Sequence, residues 1–286
     1  MTERSTAGSA GESLTARFAA LVTRPDDEIP LDEAALLIAA HARPDLDIAA
    51  ELARLDSLAA GCKEPTLDGL THHLFDELGF RGNTENYGDP ANSYLDQVLR
   101  RRLGIPITLS VVTMEVGRRL GVSLDGVGMP GHFLVRHRTD PDIFLDPFGG
   151  GRRLDAAGCQ AIFRSLGGTD PGDRGRPPDS GGVSHLQWQE SFLAPVGARV
   201  ILTRMLLNLQ GVFLPADLRS ATWVLELRLT IPGLPVPDRL GLARALGSLG
   251  QFGSAAAALD RIADELPPEE AVTVRAESRA LRARHN

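Results

Sequence analysis

His132 and Asp146 are the two residues best suited to chemistry in this sequence. His132 sits in Pro130-Gly131-His132-Phe133, and Asp146 in Leu145-Asp146-Pro147-Phe148, an acid between large apolar residues that needs a donor partner. An aspartate accepting from one imidazole nitrogen fixes the tautomer and leaves the other nitrogen to a substrate or a hydroxyl. The same pair also reads as a plain hydrogen bond stitching two strands together. A thiol is what the region lacks. A reactive cysteine needs a helix N-terminus or an imidazolium to hold it as thiolate. Cys62 lies at the end of an early helix and Cys159 beyond the second strand, so both are expected reduced, buried and unbridged.

Thr108 and Ser110 place hydroxyls in the first turns of an apolar helix that opens at Pro106, and a hydroxyl beside a histidine is the other familiar nucleophile. In a buried helix such a hydroxyl more often bonds back to a carbonyl one turn earlier. Thr108 is the better functional candidate because it is nearer the helix start. Asn92, Ser93 and Gln97 are candidate oxyanion donors lining the same pocket, with Asn92 more readily read as a plain helix N-cap. Metal binding is not expected, since the adjacent His72 and His73 diverge on a helix and no thiolate pair or histidine cluster has ligand spacing. Gly149-Gly150-Gly151 opens no helix of phosphate-binding type, and no cofactor is expected.

The elements that must position these groups follow from periodicity. Apolar residues at three-and-four spacing predict helices from Leu31 (Ala34, Ala35, Ile38) and after Pro44-Asp45 (Ile48, Leu52, Leu55), capped by Asp32 and by Asp45 or Asp47. A third helix is expected over Leu67 to Leu78, stopped by Gly79. Asn92 or Ser93 should cap a helix carrying Leu95, Val98 and Leu99 that ends at Gly104. Pro106, a good first-turn residue, then opens the buried helix that stops at Gly121. Val127 to Arg136 and Ile143 to Asp146 read as a strand hairpin packed on that helix, which makes the middle an α+β unit.

Residues 1–13 are read as a disordered tail, 14–195 as the α+β domain and 196–286 as a helical domain. The Gly- and Pro-rich stretch 167–182 is read as a mobile insertion in the first domain. In the helical domain Ala221, Leu225 and Pro232 are matched by Ala255, Leu259 and Pro267, with the two alanines 34 residues apart, the period of a tetratricopeptide unit. Stacked helix pairs of that kind suit a protein or peptide partner.

The 286 residues carry 30 Lys+Arg against 37 Asp+Glu, a formal net charge of -7. No nucleic acid partner is expected of such a chain. No window reaches the roughly 18 apolar residues of a membrane span, and the N-terminus lacks the apolar core of a signal peptide, so a cytoplasmic protein with no membrane partner is expected.

Together, Pro44-Asp45-Leu46-Asp47, Asn92-Ser93-Tyr94-Leu95, Gly104-Ile105-Pro106-Ile107-Thr108-Leu109, Pro130-Gly131-His132-Phe133, Asp146-Pro147-Phe148 and Arg204-Met205-Leu206-Leu207-Asn208-Leu209 resemble the SirB-one family of bacterial proteins. That family joins a transglutaminase-like domain to tetratricopeptide-type repeats. The resemblance implies the papain-like superfamily fold, whose enzymes use Cys, His and Asp, and it puts the histidine on His132 and its orienting acid on Asp146. The cysteine would fall close to Pro106, where none of Ile105, Pro106, Ile107 or Thr108 is a thiol. The expectation is a non-catalytic binding or regulatory module. The alternative is an amide or ester hydrolase or transferase in which Thr108, Ser110 or an activated water replaces the thiol.

Overall fold

The computed structural model describes residues 14–170 and 183–285, so the expected tail and most of the expected insertion lie outside the described residues. The chain forms two compact units. One comprises Pro30–Ala39 and Asp45–Met205; the other takes in the described residues up to Ile29, Ala40–Pro44 and those from Leu206 on. The opening helix α1 (14–22) falls in the unit that holds the C-terminal helices.

In the larger unit the helices α2 (Leu31–Ala42), α3 (Ile48–Gly61), α4 (Leu67–Thr71), α5 (Leu95–Arg101) and α6 (Pro106–Leu120) precede the sheet, although the last residues of α2 fall in the other unit. Asp47 caps α3 by accepting from the Ala50 amide at 3.1 Å. Asp32 lies inside α2 rather than ahead of it. The third helix widens into a π-turn over His72–Glu77 before Gly79, whose φ of +73° only glycine adopts at little cost. Tyr94 is the N-cap of α5, so neither Asn92 nor Ser93 has the capping role expected of it; Asn92 ends a preceding 3-10 turn.

Arg102 in the left-handed conformation, and not Gly104, ends α5. Gly104 belongs instead to β2 (Leu103–Gly104), which pairs in parallel with β1 (Arg81–Gly82). A Cβ on Gly104 would lie 2.9 Å from the Thr108 hydroxyl oxygen, so the glycine is required by how closely α6 approaches. Helix α6 starts at Pro106, where the missing amide costs nothing, and stops at Gly121 with φ +79°. From Pro106 to Thr113 every residue is buried, as the apolar sequence requires.

Five antiparallel strands follow, in the order β6-β5-β4-β3-β7: β3 (Leu124–Val127), β4 (Leu134–His137), β5 (Phe144–Asp146), β6 (Arg152–Leu154) and β7 (Pro195–Val196). The expected single strand from Val127 to Arg136 is in fact the end of β3, a loop over 128–133 and most of β4, with Val127 opposite Leu134. Gly131, at φ +75°, breaks the extended run. Leu134 and Phe144 pack with Cys159 and Phe163 of α7 (Ala156–Ser165) and with Trp188 in one buried cluster.

The second unit is helical, with most of α8 (Ala198–Phe213) beyond the boundary, then α9 (Leu218–Thr230), α10 (Val236–Ser248), α11 (Phe252–Glu265) and α12 (Pro268–His285). Ala221 and Leu225 of α9 and Ala255 and Leu259 of α11 are all fully buried, the small residues letting neighbouring helices approach closely. Trp223 stacks on His41 with ring centres 5.5 Å apart.

Candidate functional site

The loop 128–133 and the end of β5 bring His132 and Asp146 together. His132 Nε2 lies 2.8 Å from Asp146 Oδ1, and both side chains are buried. Strand β4 and its neighbour β5 pair Val135 with Leu145, which sets the end of β5 beside the loop leading into β4. The Gly149 amide donates to the same carboxylate oxygen at 3.1 Å, and the Arg152 guanidinium stands 3.5 Å from the other oxygen. A Cβ on Gly149 would sit 2.5 Å from Asp146 Oδ2, so the turn after β5 accepts glycine there. Burial by itself would raise the Asp146 carboxyl, but the His132 hydrogen bond and charge, the Gly149 amide and Arg152 together hold it below its ordinary value.

Nε2 is engaged by the carboxylate, and Nδ1 makes no hydrogen bond among the described residues. The ring meets Phe148 edge-on, 6.0 Å between centres, and Phe148 in turn meets Tyr87. Phe148 presses so closely on Gly82 that a Cβ there would lie 2.5 Å from the ring.

Arg204, on α8, fixes the histidine loop from behind. Its guanidinium donates to the carbonyl oxygens of Met129 at 3.2 Å and His132 at 3.0 Å and lies 5.2 Å from the Phe133 ring centre. Burial lowers Arg204 from its ordinary value. The sequence reading quoted Arg204 within a motif and gave it no role. A cation among Val200, Ile201, Leu202 and Met205 is the signal that was there to use, because such a group must find acceptors.

Thr108 is not placed to act as a nucleophile. Its hydroxyl donates to the Asn92 carbonyl oxygen at 2.6 Å, with the Ile105 carbonyl at 3.1 Å, and accepts from the Ile105 amide at 3.2 Å. Its one proton is engaged by backbone carbonyls, and it accepts from a backbone amide. Ser110 is fully buried, and its hydroxyl has no hydrogen-bond partner, His132 included. Asn92 is likewise consumed: its amide group donates to the carbonyls of Asn86 and Tyr87, and its carbonyl oxygen accepts from Asn83 and Arg101. Ser93 is buried, and Gln97 donates to Asp96 at 2.8 Å. Of the three expected oxyanion donors, Asn92 is thus occupied in holding the turn ahead of α5, and Gln97 is bonded to its neighbour within α5.

Neither thiol partners His132. Cys159 is buried beneath the sheet, where burial first, and then the carboxylates of Asp155 and Asp146, push its thiol up to about 12. The Cys62 thiol donates to the Glu64 carbonyl oxygen at 3.2 Å, and the two cysteines are unbridged. Among the described residues no three His, Cys, Asp or Glu side chains cluster as metal ligands, and no helix is long and apolar enough to cross a membrane.

A histidine and an acid joined on an antiparallel sheet, with a buried helix opening just before it, define a transglutaminase-like architecture, and residues 40–207 match the transglutaminase-like superfamily. A UPF0162 protein of Xylella fastidiosa is 42% identical over 210 residues, 69% of each chain, and one from Pseudomonas aeruginosa is 33% identical over 212 residues, 69% of this chain and 72% of that protein. The chain belongs to the transglutaminase-like superfamily and, within it, to the UPF0162 proteins. A shorter stretch of 106 residues is 39% identical to F-box only protein 21 of Mus musculus, covering 34% of this chain and 17% of that protein. No solved structure matches.

Proposed function

We propose that this chain is a non-catalytic, SirB-one-type member of the superfamily, a cytoplasmic binding or regulatory module that recognises a protein or peptide through tetratricopeptide-like helices. The observation that carries the reading is Thr108. Where the resemblance puts a nucleophile, Pro106 takes the first helical position and the nearest hydroxyl is bonded to the Asn92 carbonyl at 2.6 Å. The His132–Asp146 pair then serves to hold the loop 128–133 against β5. Support for the repeats comes from the matched burial of Ala221 and Ala255 on helices α9 and α11, each followed by a proline, Pro232 and Pro267.

A second reading keeps His132 as general base toward a water, favoured by the Nδ1 atom that has no hydrogen bond among the described residues. Turnover separates the two. The purified chain is assayed on a panel of small amides and esters beside His132→Ala; equal background rates support the binding module, and a rate lost in His132→Ala overturns it.

A further inference from the structure

The helical unit holds a cavity of about 440 Å³ walled by α10, α11 and α12. That size falls within the range of small-molecule sites. Its lining is largely apolar: Gly247, Phe252, Leu259, Ala280 and Leu281. A Cβ on Gly247 would come within 3.2 Å of Leu281, so the glycine lets the Leu281 side chain pack closely against α10.

The mouth is charged, and the charges do not cancel. Arg244 is neutralised by Glu277 through two bonds, Nε to Oε2 at 3.0 Å and Nη2 to Oε1 at 2.8 Å. Arg284 lies over the Phe252 ring, 4.6 Å from its centre, and among the described residues it has no carboxylate partner. A cation with no carboxylate partner among the described residues, over an aromatic wall of an apolar hollow, is complementary to a ligand with an apolar body and a single negative charge at one end.

We propose that this cavity binds an apolar monocarboxylate, its hydrocarbon part against Phe252, Leu259 and Leu281 and its carboxylate on Arg284. A free carboxylic acid and the C-terminus of a peptide ending in an apolar residue share that chemistry. The site lies wholly within the helical unit and owes nothing to His132, so its failure would leave the reading of the His132 site untouched, and the reverse.

The test is calorimetric titration of the full chain with octanoate, with octanamide as the uncharged control and with acetyl-Ala-Ala-Leu as the peptide-terminus probe. Arg284→Ala removes the cation from an exposed position, and Ala280→Trp fills the hollow from another exposed position, each checked for native helix content by circular dichroism. Octanoate is expected to bind the wild type, more weakly by about threefold to tenfold in Arg284→Ala and not at all in Ala280→Trp, with octanamide weak throughout. Displacement of octanoate by the peptide supports the site and assigns its carboxylate to chain termini; absence of displacement supports it as a site for free acids. No binding of either carboxylate, or equal binding of octanoate by the wild type and a folded Ala280→Trp, would overturn the proposal.

Discussion

The Thr108 hydroxyl donates to the Asn92 carbonyl oxygen at 2.6 Å and so fastens the first turn of α6 to the 3-10 turn ahead of α5. Thr108→Val keeps the shape and removes the bond, while the Asn92 carbonyl keeps the Ile105 amide at 3.4 Å and the Ile105 carbonyl keeps the Leu109 amide at 3.1 Å. The variant should lose about 0.5–1.5 kcal/mol in urea unfolding, with Thr108→Ser losing less. A Thr108→Val protein as stable as wild type would show that the bond holds nothing.

Asp146 has a folded value below its ordinary 3.8, so its ionisation contributes stability that is present above 3.8 and is lost as pH falls through the folded value. Asp146→Asn should therefore be less stable than wild type at pH 7. The gap should close progressively below about pH 4. Unfolding midpoints measured from pH 2 to 7 test this, and a gap independent of pH would contradict it.

A second titration should run the opposite way. Glu115, buried on α6, lies 3.0 Å from Arg119 and 2.9 Å from Arg118, while Asp32 from α2 shares both arginines and Arg119 also holds Asp56. Burial first, and then the charge of Asp32, raise Glu115 from 4.5 to about 7 against the pull of Arg118. The folded chain thus binds the proton more tightly than the unfolded one, and this group's contribution declines as pH rises from 4.5 to about 7, by up to roughly 3 kcal/mol. Glu115→Gln should flatten that slope in denaturant titrations. An unchanged slope would assign it to other groups.

Arg204→Met keeps the apolar stem and abolishes both donations to the histidine loop. The Met129 carbonyl keeps the His132 amide at 3.1 Å, but the His132 carbonyl loses its donor, which should cost about 1–3 kcal/mol and speed amide exchange over 128–133. Arg204→Lys should recover part of the protection. Exchange unchanged in Arg204→Met would mean that the loop is held by the His132–Asp146 bond alone.

The larger helices were legible because each buries an apolar stripe between recognisable stops: Pro106 and Gly121 bracket α6, and Asp47 starts α3. The sheet was half legible. Strands β6 and β7 span three and two residues, too few to show alternation, and β7 pairs with β3 across some seventy positions of chain. Gly131 lay in plain view, yet a glycine between apolar residues does not say whether a strand bends or ends. At the site, residue type and setting single out the histidine and the acid, and the family resemblance joins them. The fate of Thr108 and Asn92 was not, because whether a hydroxyl faces a cleft or a carbonyl depends on the turn packed against it, and that turn comes from residues sixteen positions away.

On the proposed reading, no hydroxyl or thiol works with His132 to take an acyl group. Intact-mass spectrometry of the chain after exposure to a reactive acyl ester, such as p-nitrophenyl acetate at low excess, tests it most directly, with His132→Ala alongside. Only slow, scattered surface acylation, equal in both proteins, is expected; a single acyl group mapping to Thr108, Ser110, Cys62 or Cys159 and missing from His132→Ala would overturn the reading.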